Sequence, residues 1–245
     1  MPDTTHPVHV EEGRGFLRLR LSRPGRYNAI DTATLVALIE ALSGANRMPV
    51  PLLLEGDGGV FSVGADIPEL SRFDAYAATA FSHLGHQVVS ALEAWPGVTV
   101  ARLSGYCLGS GLELALGCDL IVARADVRIG LPGLAWALMP CLGGLRRLSV
   151  RLDRAHCTDL FLGGEVLDGT QAHALGLVDR LITTDEDAEA LARDNREWSA
   201  SAVAAIREMR LNRHGLIDCG IEADLFAESF ASGECQRRLK QLLGS

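Results

Sequence analysis

The chain has 245 residues and a formal net charge of −8, from 31 acidic and 23 basic side chains. An acidic chain without a run of lysine and arginine is a poor nucleic-acid binder, because such binding needs a basic surface. Apolar residues make up 48% of the chain, as in ordinary globular domains, and no uncharged run reaches the ~20 residues that span a bilayer, so we expect no nucleic-acid or membrane partner.

Strands and helices alternate from the beginning of the sequence. In residues 16–21 the leucines at 17, 19 and 21 share one face, and the arginines at 18 and 20 share the other. This alternation predicts a half-buried strand. Asp31 is typical of a helix N-cap, and Gly44 is typical of the end of that helix. A short buried strand is predicted over 51–55, and apolar residues at helical spacing predict a helix over 75–94.

The central part of the chain continues this alternation. A strand is predicted over 98–103, followed by a glycine-rich loop over 104–111 and a helix that begins near Leu112. Another strand is predicted over 119–123. The apolar residues 129–145 contain two prolines and four glycines, which predicts irregular backbone.

The last third changes character. Thr170 predicts the N-cap of a short helix that ends at Gly176, before a strand over 177–182. Beyond residue 184 the composition is rich in Glu, Asp, Arg and Ala and predicts two or three helices without a strand. The sequence therefore predicts an α/β layer structure over 1–184 and a helical segment over 185–245.

The six cysteines form no CxxC pair and no cluster with zinc-ligand spacing. In a chain of this length they indicate buried, reduced thiols rather than a disulfide framework, and no metal site is expected. The polar, acidic N-terminus does not resemble a signal peptide. We therefore expect a cytoplasmic protein.

Two segments place glycines after a strand and before an apolar run: FSVGADI at 61–67 and SGYCLGSGLEL at 104–114. Such glycines allow backbone N–H groups to face a ligand, and the free N–H groups at a helix start can stabilise an oxyanion. A structural alternative exists for the second segment, since Ser110 and Glu113 match a capping box. The first segment is not a phosphate-binding loop, since it lacks the GxxxxGK(S/T) and GxGxxG patterns.

The ordered set of motifs resembles the enoyl-CoA hydratase/isomerase family, the crotonases. The motifs are RPxRxNAI (23–30), FSVGADI (61–67), SGYCLGSGLELALGCDL (104–120), GLP (130–132), MPCLGGLRRL (139–148) and LDGTQAHALGLVD (167–179). The resemblance covers about residues 10–184. It implies a crotonase-type spiral of ββα units with an acyl-thioester site, and it implies that 185–245 is a C-terminal helical trimerisation segment, in a homotrimer or a dimer of trimers.

The resemblance also implies the catalytic groups. The N–H groups of Ala65 and Ser110 would bind the thioester oxygen of an acyl-CoA, and Glu113 would be the acid/base. Ser110 stands where the family usually has glycine, and Gly133 stands where the hydratases have their second glutamate. Hydration needs two acid/base groups and moving a proton between two carbons of one enolate needs one, so Gly133 favours double-bond isomerisation.

Further contacts to the substrate are implied by position in the motifs. They are assigned to Arg26, Val63, Asp66, Gly109, Pro132, Gly133 and Trp136. Arg23 and Arg26 stand where the first turn of the family approaches the CoA nucleotide, and each is either a phosphate ligand or a solvated turn residue. Trp136 either narrows the pocket or belongs to the core. His83 and His86 are either replacement bases or structural residues.

The predicted function is that of a lyase or isomerase of fatty-acid metabolism that acts on acyl-CoA, with no cofactor other than the coenzyme A of its substrate. Two alternatives stay open. Gly133 and Ser110 would also suit an acyl-thioester binding protein with little catalysis. A third hypothesis is an enzyme that acts on acyl groups attached to a carrier protein. The acyl chain length and the pathway do not follow from the residues.

Overall fold

A computed structural model describes residues 6–45, 50–195, 203, 207, 226–227, 230–231 and 233–244. Its strands are β1 Val8–Glu12, β2 Leu17–Leu21, β3 Leu52–Gly56, β4 Thr99–Leu103, β5 Tyr106–Leu108, β6 Leu120–Ala123, β7 Arg128–Gly130, β8 Val166–Asp168 and β9 Arg180–Leu181. Its helices are α1 Thr32–Ala45, α2 Ile67–Leu70, α3 Ala75–Glu93, α4 Ser110–Leu116, α5 Gly144–Arg151, α6 Arg154–Phe161, α7 Gly169–Ala174, α8 Asp185–Asp194 and, near the C-terminus, α9 Glu234–Leu242. Two 3-10 helices cover Pro24–Arg26 and Pro132–Trp136.

The larger sheet has six strands in the order β1-β2-β3-β4-β6-β9. β1 pairs antiparallel with β2, and the other neighbouring pairs are parallel. A smaller sheet has the order β5-β7-β8. Because the carboxyl ends of parallel strands meet at one edge, the segments that follow β3 and β4 lie side by side. Phe61 N–H donates to Ser104 O at 2.8 Å, and Ser62 N–H donates to Tyr106 O at 2.9 Å, so the two glycine-rich motifs are in direct contact.

The early strands and helices agree with the sequence pattern. In β2 the leucines are buried and the arginines are half-buried, as alternation predicts. Asp31 caps α1 as expected, because its Oδ1 accepts the N–H of Thr34 at 2.8 Å. The helix continues one residue past Gly44. Helices α1 and α3 pack against each other and bury Leu35, Leu38 and Phe81 in the main core.

Two expectations for the middle of the chain are wrong. The loop predicted over 104–111 contains β5, and α4 begins at Ser110 rather than near Leu112. The segment 129–145, predicted as irregular, contains the end of β7, a 3-10 helix and the start of α5. Its prolines and glycines mark the junctions between these short elements, since Pro132 starts the 3-10 helix and Gly143 caps α5 at φ +89°.

Two expectations around α7 are also wrong. The N-cap is Asp168 and not Thr170, because Asp168 and Gln171 form a capping box in which each side chain accepts the other's backbone N–H at 2.8 Å. The strand predicted over 177–182 is reduced to β9, because the N–H groups of Leu177 and Val178 turn back to Ala172 O. Leu177 and Val178 are buried, so their apolar pattern reports core packing and not a strand.

The segment beyond residue 184 is described only in part. It contains α8, which packs on β3 and β4, and α9, which contacts α2 and the second 3-10 helix. The described residues of this segment include no strand. The prediction that 185–245 forms a trimer contact stays a prediction. Cys219 lies outside the described residues, and the other five cysteines are buried and are not joined in disulfides. None of the helices in the described part of the chain has the length and apolar character to cross a membrane.

Candidate active site

A cavity of about 210 Å³ opens where the segment after β3, the start of α4 and the second 3-10 helix meet. Eight residues predicted to form the site line it. They are Val63, Ala65, Gly109, Ser110, Glu113, Pro132, Gly133 and Trp136. Thus residues separated by up to 73 positions in the chain, from Val63 to Trp136, share one wall.

Glycines bring the two motifs together at this cavity. Gly64 has φ +93° and Gly109 has φ +50°, both in the region that favours glycine. A Cβ at Gly64 would lie 2.7 Å from Leu108 O and 3.3 Å from the N of Ser110. No side chain fits there, so a glycine at 64 is what allows the first loop to touch the start of α4.

Ala65 and Ser110 both line the cavity, and their backbone N–H groups have no backbone acceptor among the described residues. Around Ala65, the Gly64 carbonyl and the Asp66 N–H both bond to Ile30 at 2.8 Å. Within the described chain, neither the Ala65 nor the Ser110 N–H donates to a backbone carbonyl. Ser110 is the first residue of α4, where an N–H has no partner inside the helix. The positive φ falls on Gly109, so serine at position 110 brings no backbone strain.

The carboxylate of Glu113 is buried and held by backbone donors. Its Oε1 accepts the N–H of Leu142 at 2.9 Å and of Gly144 at 2.8 Å, and its Oε2 accepts the N–H of Cys141 at 3.2 Å. A Cβ at Gly144 would lie 2.5 Å from the Cγ of Glu113, so this close approach requires glycine. The capping-box alternative is wrong, because Gly109 is the N-cap of α4 and no side chain caps it.

Burial and hydrogen bonding act in opposite directions on this carboxylate. Burial raises the pKa of Glu113 above its ordinary value, while the three N–H donors and the nearby guanidinium of Arg147 lower it again. Arg147 is itself buried and bonds to the carboxylate of Glu93. The balance leaves a carboxyl group that takes up a proton more readily than an exposed glutamate.

The comparisons with known proteins identify the family of this chain. The family model described as enoyl-CoA hydratase/isomerase matches residues 11–225, which is most of the chain. The chain belongs to the enoyl-CoA hydratase/isomerase family. Its fold is accordingly the crotonase fold.

Individual members of the family are moderately similar in sequence to this chain. Human "enoyl-CoA hydratase domain-containing protein 2, mitochondrial" is 31% identical over 226 residues, covering 91% of this chain and 77% of that protein. The "2,3-dehydroadipyl-CoA hydratase" of Escherichia coli is 31% identical over 225 residues, covering 89% and 88%. A crystal structure of an enoyl-CoA hydratase from Thermoplasma volcanium superimposes with a TM-score of 0.83 at 26% identity, covering 100% of this chain and 98% of that one.

Two predicted substrate contacts lie outside the cavity lining of this crotonase. Asp66 is buried and caps α2 by accepting the N–H of Glu69 at 3.2 Å. It also lies 3.3 Å from Arg23 and 3.7 Å from Arg26. Arg23 is held internally, since it pairs with Asp31 at 3.0 Å as well. The side chain of Arg26 is 54% exposed, so it retains the accessible charge that a phosphate contact would need.

The histidines considered as replacement bases do not line the cavity. His83 is exposed on α3. His86 is buried on the same helix, and burial, followed by the charge of Arg147, lowers its pKa to about 4. Its imidazole is therefore uncharged at neutral pH, but it does not line the cavity.

Asn28 and Asp119 have structural roles next to the site. Asn28 adopts φ +55°, and its side chain accepts the N–H of Arg23 at 2.8 Å and donates to Val60 O at 2.6 Å. Asp119 accepts the N–H of Thr99 at 2.8 Å and pairs with Arg207. Both fasten loops beside the sheet and neither lines the cavity.

Two groups of residues at or next to the cavity were not predicted from the sequence. The first is the 141–144 loop that binds Glu113, for which the glycine pair in MPCLGGLRRL was the available signal. The second is the apolar wall, to which the C-terminal segment contributes Phe226. Nothing in the sequence around Phe226 marks it as a site residue. Among the described residues, no group of three or more His, Cys, Asp or Glu side chains is placed to hold a metal ion.

Proposed function

We propose that this crotonase is an enzyme that binds an acyl-CoA thioester in the cavity and shifts the double bond of an enoyl group through an enolate. Coenzyme A enters as part of the substrate, and the mechanism uses no other cofactor. The substrate class is supported by the family match and by the names of the relatives, two of which are called hydratases of CoA thioesters.

In this mechanism the thioester oxygen lies between the N–H groups of Ala65 and Ser110. The support is that both groups belong to cavity-lining residues and lack backbone acceptors in the described chain. Removing a proton next to the carbonyl places negative charge on that oxygen. Preorganised backbone donors stabilise such charge, and each donor of this kind can contribute about 3 kcal/mol to lowering the barrier.

Glu113 moves the proton. Its carboxylate takes a proton from one carbon of the enoyl chain, the electron pair passes into the enolate, and the resulting carboxylic acid returns the proton to a different carbon. No atom is gained or lost, so one acid/base is sufficient. The raised pKa of the buried carboxyl group lowers the cost of its protonated intermediate state.

The observation that carries the isomerase assignment is the absence of a second carboxylate among the described lining residues, where Glu113 is the only acidic side chain. Gly133 lies in the wall at the position that the family resemblance assigns to the second hydratase glutamate. Hydration would need a further group to activate water. We therefore propose isomerisation as the main reaction and hydration as a slow side reaction.

The test is a mass-spectrometric assay in heavy water with short and medium 2-enoyl-CoA and 3-enoyl-CoA. Wild type should show double-bond migration with deuterium uptake, and Glu113→Gln should lose at least a hundredfold of that rate. Efficient net hydration by wild type would overturn the isomerase assignment. Acyl-CoA binding without exchange in any substrate would instead establish a binding protein.

The assembly and location expected from the sequence are part of the same proposal. A homotrimer or dimer of trimers, with 185–245 at the contacts, is tested by light scattering of the full chain. A cytoplasmic location is tested by fractionation of cells that express it, since some relatives are mitochondrial.

A further inference from the structure

Beyond the groups assigned to catalysis, the wall of the cavity is mostly apolar. Its apolar residues include Ile67, Leu70, Leu131, Leu138, Met139 and Phe161. Among the described lining residues, Glu113 is the only one with a charged side chain, and that charge is negative. Such a wall favours contact with methylene groups of the ligand. It offers no cation that could pair with a negatively charged group on the ligand.

An aromatic cluster contributes to the cavity wall through Phe226. Phe226 lines the cavity and is 1% exposed. Its ring packs edge-on against Phe230 with centroids 5.3 Å apart, and it lies 6.4 Å from the ring of Phe81. Rings packed on several sides do not move aside at low cost, so Phe226 is a fixed apolar boundary.

The same cavity reaches the surface between leucines. Leu134, Leu145 and Leu162 all line it and are 38%, 48% and 71% exposed. We call these three residues the leucine rim. Scattered exposed leucines are ordinary, but apolar residues that continue the wall of a cavity to the surface mark a binding groove. The occupant is identified by continuity, because the cavity that the rim opens into also contains Glu113.

We propose that the cavity selects a CoA thioester with an uncharged hydrocarbon tail that extends to the leucine rim, and that it excludes acyl groups ending in a carboxylate. This specificity rests on the proposed function, since it assumes that the acyl group lies beside Glu113. A tail carboxylate would lose its hydration against the apolar wall and would add a second negative charge near Glu113. The inference separates this chain from its Escherichia coli relative, whose name specifies a CoA ester of a dicarboxylic acid.

The proposal predicts how binding depends on the tail. Each methylene that enters an apolar wall contributes about 0.8 kcal/mol, equivalent to about fourfold in affinity. Affinity should therefore rise about fourfold per methylene until the tail reaches the rim, and then level off. A terminal carboxylate on a tail of equal length should reduce affinity by about a hundredfold or more.

The experiment is calorimetric titration of the full chain with saturated acyl-CoA esters, which bind without turnover. The series is butyryl-, hexanoyl-, octanoyl- and decanoyl-CoA, with adipoyl-CoA as the charged partner of hexanoyl-CoA. Leu162→Arg places a cation at the most exposed rim position and should narrow the hexanoyl/adipoyl ratio by about tenfold. Leu181→Arg is the matched control, since Leu181 is 39% exposed in β9 and does not line the cavity.

The outcomes separate this proposal from the function on which it rests. Rising affinity with length, rejection of adipoyl-CoA and a change of preference in Leu162→Arg alone would support it. Adipoyl-CoA binding as tightly as hexanoyl-CoA, or affinity independent of length, would overturn the specificity and leave the isomerase proposal intact. Binding of no acyl-CoA at all would overturn both.

Discussion

Arg147 and Glu93 form a two-bond ion pair directly behind the loop that binds Glu113. The Nε of Arg147 lies 2.7 Å from Oε1 of Glu93, and its Nη2 lies 2.8 Å from Oε2. The remaining nitrogen, Nη1, donates to the carbonyls of Leu142 and Gly143, both at 3.1 Å. The same short loop therefore accepts hydrogen bonds from Arg147 and donates hydrogen bonds to Glu113. The ion pair thus holds the carboxylate of Glu113 in place through the backbone of this loop.

Replacing Arg147 should change both stability and pH dependence. Arg147→Met leaves the partly buried Glu93 unpaired and should lower the free energy of unfolding by about 3–5 kcal/mol. It also removes a positive charge that lowers the pKa of Glu113, so the acid limb of the kcat–pH profile should move to higher pH.

Two matched variants control this experiment. Arg147→Lys keeps the charge and should preserve most of the pH profile even if the loop is loosened. Glu93→Gln keeps the bonds from Arg147 to the loop and should shift the profile less than Arg147→Met. A merely structural role for Arg147 would lower stability and leave the acid limb of all three variants at the wild-type pH.

Glu113 should also affect the pH dependence of folding. Burial raises its pKa in the folded chain above the ordinary glutamate value of about 4.3. The folded state then holds the proton more tightly than the unfolded state, so the stabilising contribution is fully present below about pH 4.3 and is lost as pH rises through the folded-state pKa.

Comparison with a variant that cannot titrate isolates this contribution. The free energy of unfolding of wild type minus that of Glu113→Gln should decrease as pH rises from 4 and then become constant. Urea titrations across pH 4 to 8 measure this difference. A difference that increases over the same range would show that the three N–H donors outweigh burial and that the pKa is lowered.

The contact between the two glycine-rich motifs is tested by a pair of alanine substitutions. Gly64 and Gly59 both have positive φ, +93° and +75°, so alanine brings backbone strain of about 1 kcal/mol at each. At Gly59 the added Cβ meets nothing within 4 Å, whereas at Gly64 it would lie 2.7 Å from Leu108 O.

Only the substitution at Gly64 should therefore separate Ala65 from Ser110. We expect Gly64→Ala to reduce kcat/KM by at least tenfold and Gly59→Ala to leave it near wild type. The melting temperature should fall in both variants from backbone strain, and further in Gly64→Ala because of the contact with Leu108 O. Turnover of 3-enoyl-CoA and thermal melts measure the two effects. Equal activity in both variants would contradict a role for this contact in the site.

The sequence was sufficient where local pattern and structure coincide. Alternation in 16–21 predicted β2, and Asp31 predicted the start of α1, because burial on one face and an N-cap are local properties. The predicted N-cap of α7 was wrong, because Asp168 and Thr170 are both residue types that can cap a helix. Asp168 is the cap because it lies at the end of β8, which places its carboxylate over the N–H of Gln171.

Most of the residues proposed for the site line one cavity, but the contacts that hold them there were not predicted. The motifs identified Ala65, Ser110 and Glu113 as candidate catalytic residues, whereas the local pattern alone favoured a capping box for Glu113. Its actual donors are 28 to 31 residues further along the chain, and only the tertiary fold brings them to the carboxylate. Phe226 illustrates the same limit, since a phenylalanine far along the chain becomes part of the cavity only through packing.

The assignment to isomerisation is tested most directly by supplying the missing carboxylate. A Cβ at Gly133 would lie 3.3 Å from Leu138 O and 3.5 Å from Leu138 Cβ, so a side chain fits after a shift of a few tenths of an ångström. Gly133→Glu should raise the rate of 2-enoyl-CoA hydration by tenfold or more, because a positioned acid/base typically contributes at least a hundredfold and imperfect placement costs part of it.

Gly133→Gln is the matched control, since it adds the same bulk without a titratable group. Hydration measured by loss of the enoyl absorbance should rise in the glutamate variant alone. An equal rise in both variants would assign the effect to pocket shape, and no rise in either would mean that Gly133 is not what limits hydration in this enzyme.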